Sequence, residues 1–590
     1  MGNRNGAGGR ALAAELFLPL LLFGFLSLAA AWPLSVHPVR LFPAHRTAAK
    51  HATTMYHFAD YFRGGSRPVA YLDLWGYPAG GIAKPQGIPS LATGWFLSRL
   101  FPPRTVFNVL VLFNLVLSGL SLYLLGRQIG LGSIPAAALG TLAGFHPVLQ
   151  SFLLRGQIEN TTLWPAGFTL LALAAIVRGP ERRWPAIAAV CLLPAVTLLT
   201  TAYYAFFLLL ASPLLLALLL TRWRPGWRAP TVRTAVAALA AGAALTLAAA
   251  QFYRPDTAPG ALPNLHPNTL QLGLAGVVPA AGFGDLINPA NFIADEKPYL
   301  GLSLLACVLA AATLLLLRRR RQGELAVLGG GTLLFALLAL GRNVGDLALP
   351  AALADQFMPD FRLFTMLVRG LPFMAVFAGL IVALALEELP SRWARAGLGI
   401  LVLLTLADHA AVNSPSACLL QTATFDERTE IDVTVRSLPK FGTADLPLAD
   451  LPPPIGRNKF LWNRYTYFQT EHLQRIVWSD TIPDPPSGLA ALLAALCDHP
   501  RDYAGDADRL RDWSAAVRGS GLRLILLHKD YVSQESAVLL SFALDSVFLR
   551  IGESSRVTAW AVSGEPSAPQ ASTEGAGMET GEKSSCASAL

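Results

Sequence analysis

The sequence has few charged residues and no pattern of paired cysteines. Only 14% of its 590 residues are Asp, Glu, Lys or Arg, against about a quarter in a typical soluble domain. Hydrophobic residues make up 53% of the chain, so composition excludes a soluble globular protein and indicates a polytopic membrane protein. The five cysteines show no paired spacing, which argues against a disulfide framework and a cysteine-based metal site.

Eleven apolar segments approach the roughly 20 residues that a transmembrane helix needs. Several are short, so counts from ten to thirteen stay open. The first could instead be a signal peptide, because LFLPLLLFGFLSL is long enough for its apolar region. The segments are 14–32, 105–125, 134–151, 161–177, 186–201, 203–220, 234–251, 299–317, 325–341, 363–386 and 396–412.

Lys and Arg residues concentrate in alternate turns between these segments. The excess of basic residues behind the net charge of +8 therefore indicates which turns face the cytoplasm. We expect no nucleic-acid partner. With residues 1–13 in the cytoplasm, turns such as VRGPERRW, RRRRQGE and EELPSRWARA are cytoplasmic. The segments 33–104, 252–298 and 342–362 then lie outside, as does everything after residue 412.

The character of the sequence changes from about residue 426. Residues 413–425 form a predicted linker. In 426–563, helical patterns such as DADRLRDWSAAVRGSG alternate with the short β-like runs RLILLH, SVFLRI and VTAWAV. This predicts a small extracytoplasmic α/β domain, and the tail 564–590 lacks apolar periodicity and is predicted to be disordered.

The predicted external segments carry the polar motifs of the chain. In 33–104, HRTAAKHATTMYHFADYF has apolar residues at helical spacing, typical of a helix on the membrane surface, and DLWGYPAGG follows it. RGQIEN, which contains Glu159, separates two apolar segments. DEKPYLG precedes the eighth segment, and MPDFRLFTMLVRGLPF leads into the tenth.

These motifs and their order resemble the GT-C superfamily of integral membrane glycosyltransferases. The stretches YFQTEHLQRIVWSDTIPDPP and GLRLILLHKDYV are similar to the external domain of a group of bacterial GT-C-like proteins. The resemblance implies a GT-C-like fold for 14–412, with about eleven transmembrane helices and a C-terminal α/β domain. It also implies hexosyl or pentosyl transfer from a polyprenyl-phosphate-linked donor to an envelope glycan, lipid or protein, outside a bacterial cytoplasmic membrane.

The resemblance further implies a catalytic carboxylate early in the first external loop. Residues 33–59 contain no Asp or Glu, so the sequence departs from the family there. The candidates for this role are Asp60, Asp73 and Glu159. Each has another interpretation: Asp60 on the polar face of a surface helix, Asp73 in a turn, and Glu159 in a surface ion pair with Arg155.

The leaving phosphate of such a reaction calls for cations. Arg362 and Arg369, seven residues apart, could share a helix face and bind it together with Arg155, although snorkelling of arginines to the interface is an alternative. Further cavity candidates are Asp285, Glu296 and Tyr299. No protein metal site is predicted, and Mg²⁺ or Mn²⁺ is a possible cofactor. The expected partners are the lipid-linked sugar donor, membrane lipids and envelope-biosynthesis proteins.

Two other functions remain open at the level of sequence. A transporter of lipid-linked glycans is disfavoured, because the apolar segments contain almost no ionisable residues and no internal repeat is visible. A non-catalytic assembly protein on a GT-C-like scaffold agrees with the missing early carboxylate.

Overall fold

The structure is a computed structural model of the chain. It describes residues 5–32, 34–39, 41–43, 55, 70–72, 81–83, 87–154, 156–179, 183–224, 229–251, 301–319, 321–339, 343–344, 347–348, 367–412, 422–424, 442–446, 475–476, 488–529, 532–555 and 557–562.

The chain divides into two units. The first contains Met1–His51 and Gln86–Ala423. The second contains Ala52–Pro85 and Thr424–Leu590, so part of the predicted first external loop groups with the C-terminal sequence. The predicted domain boundaries stay predictions.

The described part of the first unit is predominantly helical. The strand β1 (Leu41–Pro43) pairs with β6 (Thr422–Thr424), and β4 (Asn343–Val344) pairs with β5 (Leu347–Ala348). The helices are α1 (Asn5–Ala30), α2 (Ile88–Leu97), α3 (Pro103–Ile129), α4 (Ser133–Gly144), α5 (Pro147–Leu154), α6 (Ile158–Thr161), α7 (Trp164–Arg178), α8 (Arg183–Thr200), α9 (Ala202–Trp223), α10 (Pro230–Gln251), α11 (Leu302–Leu317), α12 (Gln322–Ala339), α13 (Leu371–Glu387) and α14 (Ser391–Val412).

Every predicted apolar segment contains a helix, but two segments are interrupted. The segment 134–151 is divided between α4 and α5, because His146 precedes Pro147 and a residue before proline is disfavoured in helical geometry. In the segment 363–386, a 3₁₀ turn at Leu367–Gly370 precedes α13. Pro372 has no N–H to donate to the residue four positions earlier, which favours this break.

Six described helices are long and apolar enough to cross a membrane, namely Arg104–Ile129, Ile158–Arg178, Ala202–Trp223, Pro230–Ala250, Gln322–Ala339 and Ser391–Ala411. Six shorter apolar helices accompany them: Glu15–Ala30, Ile88–Leu97, Ser133–Gly144, Trp184–Thr200, Ser303–Leu317 and Leu371–Glu387. The number of spans therefore remains a prediction.

Helix α13 forms the centre of the first unit. Its residues from Leu371 to Leu386 are all buried, and it packs against α4, α11 and α12. The outer helices expose large apolar side chains instead, such as Phe17, Leu21 and Phe25 of α1. An apolar outer surface around an apolar centre is the arrangement that lipid permits and water disfavours.

Charged side chains join the helices at one end of the first unit. Arg222, at the end of α9, contacts Glu324 at 2.8 Å and Glu387 at 3.2 Å, and its Nε donates to the carbonyl of Ile129. Arg321 contacts the same Glu387 at 2.7 Å. We call Arg222, Arg321, Glu324 and Glu387 the charged network. It lies among the turns that the positive-inside rule assigns to the cytoplasm.

The second unit contains a mixed sheet. Its strands are β7 (Gly442–Leu446), β8 (Arg475–Ile476), β9 (Leu522–His528), β10 (Leu549–Glu553) and β11 (Val557–Ala561), in the spatial order β10-β11-β9-β7-β8. β7 is parallel to β8 and β9, whereas β11 is antiparallel to β9 and β10. A separate hairpin pairs β2 (Ala70–Leu72) with β3 (Gly81–Ala83).

Helices cover one face of this sheet. They are α15 (Gly488–Asp498), α16 (Pro500–Gly505), α17 (Ala507–Gly519) and α18 (Gln534–Asp545). The buried core between them and the sheet includes Trp513 and Trp560. The Trp560 indole donates to Asp545 at 2.8 Å, and a hydrogen bond from Arg550 holds the pKa of Asp545 below its usual value. The predicted small α/β fold is therefore confirmed.

Candidate functional site

The polar turn between α5 and α7 is buried. Glu159 is 3% exposed, and Asn160, Thr161 and Thr162 are fully enclosed. This carboxylate is therefore not a solvated surface group, and its pairing with Arg155 lies outside the described residues. Because buried charges are costly unless polar groups surround them, the turn is a candidate functional site.

Hydrogen bonds hold the turn in one conformation. The Asn160 side-chain nitrogen donates to Gln157 Oε1 at 2.9 Å and to Glu159 Oε1 at 3.3 Å. The hydroxyls of Thr161 and Thr162 both donate to the carbonyl of Ile158 at 2.8 Å. These contacts fix the backbone on both sides of Glu159, so its carboxylate is held in place.

Aromatic and cationic residues from two other elements complete the site. The Tyr204 hydroxyl, at the start of α9, donates to the carbonyl of Asn160. Asn160 directly follows Glu159 in the chain, so this bond places Tyr204 beside the turn that carries Glu159. The Arg369 guanidinium lies over the Tyr203 ring, 4.5 Å from its centroid. A carboxylate, a phenol and a guanidinium are thus brought together from α6, α9 and the 3₁₀ turn. We call Glu159, Tyr204 and Arg369 the Glu159 site.

The Nε atom of Arg369 is buried and has no hydrogen-bond partner among the described residues. A buried guanidinium nitrogen without a partner is unfavourable in the free protein. An oxyanion placed there would satisfy it, and guanidinium groups match phosphate geometry well.

Gly87 supports the backbone of the site. It has a positive φ of 70°, its N–H donates to the Thr200 carbonyl at 3.0 Å, and a Cβ atom at this position would lie 3.3 Å from Glu159 Cβ. We expect Gly87→Ala to lower the free energy of unfolding by about 1–2 kcal/mol, since a side chain is strained at positive φ. Unfolding in mixed micelles measures this.

Gly24→Ala is the matched control, because nothing lies within 4 Å of a Cβ atom at Gly24 in α1. It should cause no loss, since alanine is the better helix former. Equal stability of the two variants would show that Gly87 is not required for this turn.

A second polar cluster lies on α14, α11 and α5. The Asp408 carboxylate accepts hydrogen bonds from the backbone N–H of Ser303 at 3.1 Å and from its hydroxyl. His409 Nε2 donates to the carbonyl of Phe145 at 2.8 Å. The Gln150 amide donates to the carbonyls of Ala30 and His409.

Both polar clusters lie opposite the charged network. The network contacts the last turns of α9 and α13, whereas the Glu159 site uses the starts of the same helices. Asp408 is near the end of α14, which begins just after the charged network. Both clusters therefore lie at the end of the unit away from its basic turns.

The structure describes only two of the predicted site residues, Glu159 and Arg369. The Tyr204 hydroxyl bonds the residue after Glu159, and Arg369 lies over the ring of the neighbouring Tyr203. Arg369 lies on a 3₁₀ turn. Its pairing with Arg362 lies outside the described residues and stays a prediction. The other predicted residues lie outside the described residues: Asp60, Asp73, Arg155, Asp285, Glu296, Tyr299 and Arg362.

The described residues do not by themselves fit a divalent metal. Within them, no group of three or more His, Cys, Asp or Glu side chains could hold an ion. Glu159 is the only described carboxylate that we place in the site, and Mg²⁺ and Mn²⁺ prefer several oxygen ligands.

Sequence reasoning missed Tyr204, Asp408 and His409. Tyr204 stands in the TAYYAFF run and looks like an ordinary interfacial aromatic. Asp408 and His409 interrupt the apolar run LVLLTLADHAAV, and an ionisable pair inside a predicted span is itself a signal of a functional or structural role. That signal could have identified the second cluster.

Comparison of the sequence with known protein families found no match, and comparison with characterised proteins found none either. The structure is similar to that of the arabinofuranosyltransferase AftD from Mycobacteria, with a TM-score of 0.53 and 13% identity. The alignment covers 93% of this chain and 41% of AftD, which is a GT-C glycosyltransferase. The chain has the GT-C fold.

Two other GT-C structures align with lower scores. The oligosaccharyltransferase from Archaeoglobus fulgidus aligns with a TM-score of 0.47 and 12% identity, over 91% of this chain and 73% of that one. ArnT from Cupriavidus metallidurans, bound to undecaprenyl phosphate, aligns with a TM-score of 0.45 and 11% identity, over 94% and 98%. The fold assignment rests on AftD, and this chain spans less than half of that protein.

The GT-C fold and the apolar helices together make the chain a multi-pass membrane protein. The resemblance inferred from the loop motifs is confirmed at the level of fold.

Proposed function

We propose that the chain is a membrane glycosyltransferase that moves a sugar from a polyprenyl-phosphate-linked donor to an extracytoplasmic acceptor. The acceptor would be an envelope glycan, lipid or protein, and the membrane a bacterial cytoplasmic membrane with the N-terminus inside. The observation that carries the proposal is the Glu159 site, in which a buried carboxylate and a guanidinium lie beside the adjacent residues Tyr204 and Tyr203, at the predicted external end of a GT-C fold.

The reaction needs a base and a cation. The acceptor oxygen attacks C1 of the sugar, the bond from C1 to the phosphate oxygen breaks, and the acceptor proton passes to a carboxylate. Negative charge gathers on the departing polyprenyl phosphate and needs positive charge close by. We assign Arg369 to that phosphate, because its buried Nε has no described partner and its ring contact with Tyr203 orients it.

Glu159 is the carboxylate that we assign to the acceptor side. It is buried, and Asn160 orients it. A base held in fixed geometry contributes about 10²–10⁴-fold to the rate. Asp60 and Asp73 remain candidates for the same role.

Two of the similar proteins were solved with ligands that are relevant to the donor. ArnT from Cupriavidus metallidurans was bound to undecaprenyl phosphate, and the oligosaccharyltransferase AglB from Archaeoglobus fulgidus was in complex with a dolichol phosphate and an inhibitory peptide. Sugars linked to polyprenyl phosphates are therefore the donors to test first. A requirement for Mg²⁺ or Mn²⁺ is a separate prediction, since the described residues alone do not hold an ion, and adding EDTA tests it.

A non-catalytic assembly protein is the second candidate. It is favoured by the absence of any Asp or Glu from residues 33–59, where GT-C enzymes place a carboxylate.

The experiment that tests the proposal is a donor panel on the purified full-length protein in nanodiscs. Polyprenyl phosphates carrying single hexoses or pentoses are supplied with a total envelope glycan extract, and release of polyprenyl phosphate is followed. We expect release from at least one donor. A protein carrying Asp60→Asn, Asp73→Asn and Glu159→Gln together is the control and should release none.

Equal release by the triple variant would locate the activity elsewhere. No release from any donor, by protein that remains folded, would contradict the transferase and favour the assembly protein.

A further inference from the structure

Helix α14 buries polar side chains within a predicted transmembrane segment. Thr405, Asp408 and His409 are each no more than 5% exposed. The Asp408 carboxylate is directed to α11, where the N–H and the hydroxyl of Ser303 donate to it. Thr405 and His409 are four residues apart and so share one face of α14. They form a second polar pair, which Asp408 does not serve.

The His409 ring joins α14 to the end of α4. Its Nε2 atom lies 2.8 Å from the carbonyl oxygen of Phe145. Because a carbonyl only accepts hydrogen bonds, Nε2 carries the proton, and Nδ1 of the neutral ring is an acceptor. This Nδ1 atom is buried and has no hydrogen-bond partner among the described residues. The ring therefore has one bonded nitrogen and one that still needs a donor.

Thr141 of α4 lies level with Thr405 of α14. The two helices pack against each other, and both begin near the charged network, so they run in the same direction. Thr141 is one turn before Phe145, whose N–H donates to its carbonyl at 3.1 Å. Thr405 is likewise one turn before His409. Since His409 meets Phe145, the two threonines are level with each other, about 6 Å nearer the charged network.

The hydroxyls of these two threonines are not bonded within their own helices. A helical threonine can donate to the carbonyl four residues earlier, as Thr169 and Thr332 do at 2.8 and 2.9 Å. Thr141 and Thr405 are at most 2% exposed, and neither hydroxyl has a partner among the described residues, so they do not bond each other. Buried hydroxyls without a partner are unfavourable, and a further polar group between them would satisfy both.

We propose that one buried water molecule bridges Thr141, Thr405 and His409 and so links α4 to α14. The water donates to His409 Nδ1 and to one threonine hydroxyl, and it accepts from the other hydroxyl. Buried waters typically make about three hydrogen bonds to groups that otherwise have no partner. The three atoms include no carboxylate oxygen, which favours water over a divalent cation. This water site does not depend on transferase activity.

Paired substitutions test whether the two hydroxyls share the water. Valine keeps the size of threonine and removes only the hydroxyl. We expect Thr141→Val and Thr405→Val each to raise the equilibrium constant of unfolding about five- to tenfold, because the water and its remaining partners lose a hydrogen bond. The double variant should show less than the product of the two effects, since both substitutions disturb the same water. Unfolding of the full-length protein in mixed micelles with increasing SDS measures this.

Thr169→Val is the matched control. Thr169 is fully buried on α7, and its hydroxyl donates within its own helix. Combined with Thr405→Val, it should give the full product of the two single effects, because the two hydroxyls share no partner. If Thr141→Val or Thr405→Val leaves stability unchanged or raises it, that hydroxyl holds no water. A full product in the Thr141→Val/Thr405→Val protein would mean that the hydroxyls act separately. Either result would overturn the shared water.

Water-edited solid-state NMR detects the water directly. The full-length protein is labelled with nitrogen-15 histidine and placed in lipid bilayers, and a His409→Phe protein assigns the ring signal of His409. We expect magnetisation from water to reach this ring in the wild-type protein, and the transfer to fall severalfold in the Thr141→Val/Thr405→Val protein. No transfer to the His409 ring in the wild-type protein would overturn the proposal. Equal transfer in the double variant would also overturn it, because the threonines would then not hold the water.

Discussion

Replacing Glu159 by glutamine is expected to lower the rate of polyprenyl phosphate release by about 10²–10⁴-fold, the range for loss of a general base. Glutamine has nearly the same shape and can still accept the hydrogen bond that Asn160 now donates to Glu159 Oε1. The turn between α5 and α7 should therefore keep its conformation, and the loss should appear in kcat. Single-turnover kinetics on the purified variant measures it.

Glu15→Gln is the control for removing a carboxylate from the same unit. Glu15 pairs with Arg127 at the end opposite the Glu159 site and is 40% exposed at its side chain, so the rate should not change. Asp60→Asn and Asp73→Asn are measured in parallel. A full rate in Glu159→Gln, together with loss in one of those two, would move the base to the first external loop.

Substitution of Arg369 distinguishes a role in donor binding from a role in the chemical step. A cation on the departing phosphate acts most strongly as negative charge develops there, whereas one that only holds the donor acts equally before and during the reaction. The kinetics of an Arg369→Gln protein therefore show which of these applies: kcat falls in the first case, and KM rises in the second.

The fold could be predicted from the sequence because apolar length and basic turns are local signals. Each of the eleven apolar segments contains a helix, and β9 and β11 cover the runs RLILLH and VTAWAV. Helix α18 was missed, although Ser533 at its start accepts from the Ser536 N–H in the manner of an N-cap. A short amphipathic helix between two strands gives a weaker pattern than a transmembrane segment.

The site could be predicted only in part. Glu159 was identified because a carboxylate between two apolar segments is conspicuous, but its turn packs against Gly87 and bonds Tyr204, which are 72 and 45 residues away from Glu159 along the chain. Arg369 was identified from its place beside an apolar segment, but its contact with Tyr203 joins residues 166 positions apart, which no local pattern reveals. Asp408 acts on Ser303, 105 residues away, and no local pattern reveals such a contact.

The charged network gives the largest expected effect on stability. We expect Arg222→Met to lower the free energy of unfolding by about 3–5 kcal/mol, the range for removing one partner of a buried ion pair. The side chains of Arg222 and Glu324 are each only 12% exposed, so Glu324 would lose a cation that it contacts at 2.8 Å and gain little water in return. Glu387 is better protected, because Arg321 also contacts it at 2.7 Å. Unfolding in mixed micelles with increasing SDS measures the loss.

The expected loss of stability comes from leaving the Glu324 carboxylate unpaired, and not from the lost contact itself. A second substitution that removes this charge should therefore recover part of the stability. Glu324→Gln in the Arg222→Met background removes the charge that was left unpaired, and the double variant should be more stable than Arg222→Met alone. Arg178→Met is the matched control: Arg178 is exposed and donates only to the Gln128 carbonyl among the described residues, so it should cost at most about 1 kcal/mol. If Arg222→Met lowers the free energy of unfolding no more than Arg178→Met does, water screens the charged network. Apolar packing around α13 would then hold the helix ends together.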